Sequence, residues 1–206
     1  MNKKTILFVL IIVCVSAWFL FFKKTPLTNY PPQGNTVMMF GDSLVEGVGA
    51  TKGNDLPSLI GRGIGVPVLN FGKSGNTTSD GVLRVPDALV KKPNVVLILL
   101  GGNDALRRVS RVDTEKNLRS IISTFQNAGA VTVLLGVRGG ILGDPYDSMY
   151  EDIADSTGSA YIPDVLSGLF ADSRYMSDAI HPNDAGYAKI ALRVIPLVKD
   201  ILGGEY

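Results

Sequence analysis

The stretch 94-NVVLILLGGND-104 decides the fold class. Its first seven residues, Asn94–Leu100, form a nearly continuous apolar run that stops at Gly101-Gly102. Continuous rather than alternating apolarity predicts a strand buried on both faces, as in a parallel sheet covered by helices. Four further runs of this kind lie around it: Thr36–Phe40, Val66–Phe71, Ala130–Leu135 and the short Ala160–Ile162. Helical patterns fill the gaps. In 113-DTEKNLRSIISTFQNAG-129, Leu118, Ile121, Ile122 and Phe125 recur at i, i+3, i+4 and i+7; Asp113 or Thr114 can cap its start and Gly129 ends it. Pro145–Thr157 and Ala185–Leu202 read as further helices, and Thr78–Lys91 as one bent or broken at Pro86. The alternation predicts an open three-layer α/β/α domain, whose sites form at the carboxyl ends of the strands.

Those ends carry small and polar residues. After the first strand comes 41-GDSL-44, after the second 72-GKSGNT-77, after the third 101-GGND-104, and before the last helix 177-SDAIHPND-184. The fourth is followed by 136-GVRGGILG-143, a flexible loop able to wall a pocket. Ser43 is either a turn serine after a buried strand or a nucleophile. A nucleophile needs a base, a group to orient the base, and donors for an oxyanion. His181 is the one histidine in the chain, so an imidazole base could only be His181. Asp178 lies three residues before it, where a turn would bring carboxylate to imidazole. The backbone N–H groups of Ser43 and Gly75 and the side-chain amide of Asn103 are candidate oxyanion donors. Asp42 has a structural reading: its carboxylate bonds nearby backbone N–H groups and fixes the turn.

The amino terminus is a different material. Thr5–Phe22, TILFVLIIVCVSAWFLFF, contains no charge and is flanked by Lys3-Lys4 and Lys23-Lys24. As a helix its eighteen residues would span about 27 Å, close to a bilayer's hydrocarbon core. Val15-Ser16-Ala17 is a passable cleavage site, but apolar residues continue beyond it, and Ile12-Val13 before Cys14 fit a lipoprotein signal poorly. The expectation is an uncleaved membrane anchor at residues 1–24, a linker at 25–35 with three prolines, and a domain at 36–206. The domain is expected on the periplasmic, extracytoplasmic side; secretion after signal cleavage is the alternative. The twenty Lys and Arg include four in residues 1–24, and the nineteen Asp and Glu none, so the rest carries a net charge of −3. That argues against a nucleic-acid partner. Cys14, the single cysteine, lies in the apolar run, so beyond it no thiol can pair or hold a metal.

The four segments together resemble the SGNH (GDSL-type) hydrolase superfamily, in the same order, from Thr36 to about Leu202. Ser43 matches the serine of GDSL, Gly75 the second-block glycine, Asn103 the asparagine of GGND, and Asp178 and His181 the D-x-x-H block. The phrases 99-LLGGNDALR-107 and 81-GVLRVPDALVKKPNVVL-97 are similar to the bacterial thioesterase I, arylesterase and lysophospholipase group. The resemblance implies a flavodoxin-like sandwich of five parallel strands. It also implies hydrolysis of acyl esters or thioesters without metal or cofactor. Members of that group lose a signal peptide, and 137-VRGGILGDPYD-147 does not follow their pattern. The α/β-hydrolase elbow G-x-S-x-G is excluded by Val45. Within the superfamily reading, O-acetyl groups on envelope polysaccharide are an alternative substrate. A non-catalytic lipid- or glycan-binding module is the rival from another class.

Overall fold

The computed structural model describes residues 25–137, 145–170 and 172–206. Five strands, β1 (Val37–Gly41), β2 (Val68–Gly72), β3 (Val95–Leu99), β4 (Val131–Leu135) and β5 (Ala160–Ile162), form one sheet in the order β2-β1-β3-β4-β5, every neighbouring pair parallel. This is the flavodoxin-like order, with the chain reversing direction across the sheet between β1 and β3. β1, β3 and β4 are buried at every position, as their unbroken apolar runs require. The edge strand β2 is only partly covered.

Seven helices are described: α1 (Ser43–Glu46), α2 (Leu56–Ile64), α3 (Thr78–Leu89), α4 (Gly102–Leu106), α5 (Arg111–Asn127), α6 (Pro145–Thr157) and α7 (Asp184–Gly203). Alternate strand residues face opposite layers, so two cores form. Val37, Met39, Val95, Leu97, Val131 and Val133 pack under α2 and α7, against Leu56, Ile60, Tyr187, Ile190 and Val194. Met38, Phe40, Val96, Ile98 and Leu134 pack under α3, α5 and α6, against Val85, Leu118, Ile122, Phe125 and Ile153.

Three local readings are corrected. α3 is not broken at Pro86 but continues to Leu89. Pro86 sits on the exposed side, so the carbonyl it leaves without a donor is on the wetted face and costs little. α5 starts at Arg111, with Ser110 rather than Asp113 or Thr114 as its cap: Ser110 Oγ accepts the Asp113 N–H at 3.1 Å. α2 was not expected at all, because 56-LPSLIGRGI-64 carries one proline and two glycines. Pro57 occupies the first turn, where it is tolerated, and Asp55 caps the helix.

The segment 25–35, read as a linker, lies against the domain as a strap. Thr28 N–H and Oγ1 donate to the carbonyls of Gly158 and Thr157, each at 2.9 Å, and Asn29 Nδ2 donates to those of Gln126 and Ala130 at 2.7 and 3.0 Å. Leu27 is buried against the α7 core, and the Tyr30 ring meets Tyr206 edge-on at 6.1 Å. Gly158 lies two residues before β5 and Ala130 immediately before β4, so the strap crosses the amino ends of these strands. The apolar segment 5–22 and the loop 138–143 lie outside the described residues. Among the described residues no helix is long and apolar enough to cross a membrane.

Candidate active site

The carboxyl end of β1 turns at once into α1, a single turn of helix. Asp42 caps it, accepting the Leu44 N–H at 3.1 Å, and places Ser43 at its first position. The expected structural role of Asp42 is thus present. Ser43 is 8% exposed, its Oγ open to a cleft. At the other edge of this cleft, Asp178 Oδ1 accepts the N–H groups of Ile180 and His181, both at 2.8 Å. That tight turn leaves Oδ2 free to meet His181 Nδ1 at 2.7 Å, while Nε2 of the same ring stands 3.1 Å from Ser43 Oγ. A carboxylate facing Nδ1 fixes the proton there and leaves Nε2 as acceptor for the serine hydroxyl. The turn is braced by Ser177, whose Oγ donates to the His181 carbonyl at 3.0 Å.

Asn103 lies in α4, after β3. Its amide donates to the Asn76 carbonyl at 3.0 Å and to Asp42 Oδ2 at 3.3 Å. Gly75 sits in the turn after β2 with φ +77°, a conformation that strains any residue with a side chain. The structure therefore brings Ser43, Asn103, Asp178 and His181 to one cleft. Gly75 is not among its walls; it joins the group through the adjoining Asn76. Its N–H makes no hydrogen bond among the described residues.

The cleft has a volume of about 910 Å³. Leu106, Val137, Leu166, Phe170, Met176 and Ile180 give it an apolar wall beside Ser43. Val137 lies in the loop after β4 that the sequence offered as a pocket wall; sequence reasoning did not single out the other five, because they come from separate segments with no shared spacing. It also missed Asp104, the residue after Asn103, which is fully buried and holds the start of α3: its carboxylate accepts the Thr78 N–H at 2.8 Å and the Thr78 hydroxyl at 2.5 Å. The Thr77–Asp80 pair that caps the same helix was a readable signal, a threonine followed three residues later by an acid.

Two carboxylates of the site are shifted in opposite directions. Burial raises Asp42 to about 6, opposed by the Leu44 N–H bond and by the charge of His181. Asp178 is held down at about 2, first by its bond to His181 and then by the Ile180 and His181 N–H groups. A carboxyl whose folded pKa is raised contributes stability that is complete below its unfolded pKa, 3.8, and lost as pH rises through the folded value. For Asp42 the loss is about 2 kcal/mol between pH 4 and 7. Asp178 has the reverse sign: its contribution is present above pH 4 and lost as pH falls toward 2. Urea unfolding of the wild type and Asp42→Asn at both pH values isolates the first effect. The variant is expected to gain on the wild type by about 2 kcal/mol between them; a constant gap would show that Asp42 ionises normally.

Residues 39–189 match the model of the GDSL-like Lipase/Acylhydrolase family, most of the described domain. The chain belongs to this family of hydrolases. It is 29% identical to the esterase TesA of Pseudomonas aeruginosa over 179 residues, 81% of this chain and 89% of that one. It is 30% identical to thioesterase 1/protease 1/lysophospholipase L1 of Escherichia coli over 167 residues, 76% of this chain and 80% of that one. A crystal structure of TesA superposes with a TM-score of 0.77 and 28% identity, covering 82% of this chain and all of the other.

Proposed function

We propose that this protein is a serine esterase acting on acyl esters or thioesters, with Ser43 as its nucleophile. The observation that carries the reading is the series Asp178–His181–Ser43, at 2.7 and 3.1 Å, opening on an apolar cleft. In the reaction Ser43 Oγ attacks the acyl carbonyl as His181 Nε2 takes its proton. Asp178 holds the ring and balances the charge it gains. The tetrahedral oxyanion is met by the N–H groups of Ser43 and Gly75 and by the Asn103 amide, which gives up its long bond to Asp42. His181 returns the proton to the leaving alcohol or thiol as the C–O or C–S bond breaks. Water then repeats the sequence on the acyl-enzyme, releasing the acid and Ser43.

The test is a labelled alkyl phosphonate added to the full chain, followed by peptide mapping. Stoichiometric label on Ser43, and none in Ser43→Ala, is the expected result; a folded wild type that takes no label is a binding module rather than an enzyme. A series of p-nitrophenyl esters from acetyl to palmitoyl then sorts the substrate. The apolar wall beside Ser43 favours medium acyl chains over acetyl. A preference for acetyl would point instead to O-acetyl groups on envelope polysaccharide. We further infer that residues 5–22 hold the domain at a membrane, on the extracytoplasmic side. Release of the intact chain from membranes by alkaline carbonate, without detergent, would refute that.

A further inference from the structure

The turn that carries Gly75 is gripped from outside by two exposed charged residues that the mechanism above does not use. It is a short stretch, 73-KSGNT-77, with only one internal bond, from Asn76 N–H to the Lys73 carbonyl at 3.2 Å. Three more of its backbone groups are taken by the segments that follow β1 and β3. The Ser74 N–H donates to the carboxylate of Glu46, the last residue of α1 and three positions after Ser43. The Gly75 carbonyl accepts Arg107 Nη2 at 2.8 Å, and Arg107 ends α4 four positions after Asn103. The Asn76 carbonyl accepts Asn103 itself. The root of the turn is packed tightly against α1: a Cβ on Gly72 would lie 2.0 Å from the Glu46 nitrogen.

We propose that Glu46 and Arg107 are positioning residues for the oxyanion site, holding the Gly75 peptide from opposite ends; this rests on Gly75 acting as a donor. Glu46 fixes the peptide before the Gly75 N–H, through Ser74. Arg107 fixes the peptide after it, through the Gly75 carbonyl. The two anchors come from the helices that carry the nucleophile and Asn103, so all three donors move as one unit. Both side chains are exposed and neither belongs to a core cluster, so the fold does not depend on them. An oxyanion donor acts only if it is in place before charge develops, and a displacement of about 1 Å can cost 10²-fold in rate.

The experiment measures kcat and KM of the full-length chain on p-nitrophenyl butyrate for Glu46→Ala, Glu46→Gln, Arg107→Ala and Ser43→Ala, with melting curves for each. Glu46→Ala and Arg107→Ala are each expected to lower kcat about tenfold with KM within twofold and an unchanged melting point. Glu46→Gln keeps an acceptor oxygen for the Ser74 N–H and is expected to recover to within about threefold of the wild type. If kcat stays at the wild-type level in both alanine variants while Ser43→Ala is inactive, the positioning role is wrong and the esterase mechanism stands. If Ser43→Ala is active, the mechanism itself falls. A rise in KM confined to anionic esters in Arg107→Ala would make Arg107 a substrate contact and overturn the proposal for that residue. A tenfold loss in Glu46→Gln equal to that in Glu46→Ala would do so for Glu46.

Discussion

Ser43→Ala is expected to lower kcat on p-nitrophenyl esters by about 10⁴-fold or more, leaving the melting point within a degree or two of the wild type. Ser43 is at the start of a one-turn helix, where alanine is accepted without strain, and among the described residues its hydroxyl bonds His181 alone. The loss is therefore chemical. His181→Ala is expected to cost about as much, and the double variant little more than either. A nucleophile without its base and a base without its nucleophile fail at the same step. Residual rate in both would measure what the Asn103 amide and the cleft supply by themselves. The measurement is a steady-state comparison at enzyme concentrations high enough to read that residue. Single-variant losses that multiply in the double variant would show that the two side chains act independently, and would contradict the 3.1 Å contact as a catalytic one.

The second large effect is on stability. Asp104→Ala is expected to cost about 3–4 kcal/mol, a fall of about 10 °C in melting temperature. Asp104 has no exposure to solvent, and its two oxygens serve the Thr78 N–H, the Thr78 hydroxyl and, at 3.3 Å, the Thr114 hydroxyl. Thr114 has a second acceptor in the Ser110 carbonyl and survives the change. The Thr78 N–H has none among the described residues, and burying it unpaired carries most of the penalty. Asp104→Asn keeps one acceptor and should lose about half as much. Thermal and urea unfolding of both variants decides this: an Asp104→Ala protein as stable as the wild type would mean that water reaches Thr78. Because Asn103 is its neighbour, activity should fall in Asp104→Ala more than the stability loss alone explains.

How much of this was legible beforehand depended on where each instruction was written. β3 and the four strand-end segments announce themselves, because burial on both faces demands an unbroken apolar run and the chemistry demands particular side chains next to its end. Asp178 and His181 are three residues apart, so their contact is local and readable. The Ser43–His181 contact joins residues 138 positions apart and was inferred only through the sheet, which brings all carboxyl ends together. α2 escaped notice in part because one of its glycines answers to a distant neighbour: a Cβ on Gly63 would meet Ile195 Cδ1 of α7 at 2.3 Å. The grip of Glu46 and Arg107 on the Gly75 turn has no sequence signature, since each is a single exposed charge bonded to a backbone group far along the chain. The strap read as a linker for a related reason. Its prolines mark an absence of helix and strand, but its hold on the domain runs through carbonyls that no composition reveals.

That strap also sets a direction. It binds where β4 and β5 begin, whereas Ser43, Asn103 and His181 stand where the strands and their loops end. Five residues of strand, about 17 Å, separate the two faces. Whatever lies ahead of Thr25 is thus joined to the floor of the domain, and the cleft is its ceiling. If residues 5–22 hold the chain at a membrane, as proposed above, the cleft looks away from it. Esters dissolved in the surrounding compartment, or displayed on a facing surface, would reach Ser43 directly; those in the supporting layer would have to leave it first.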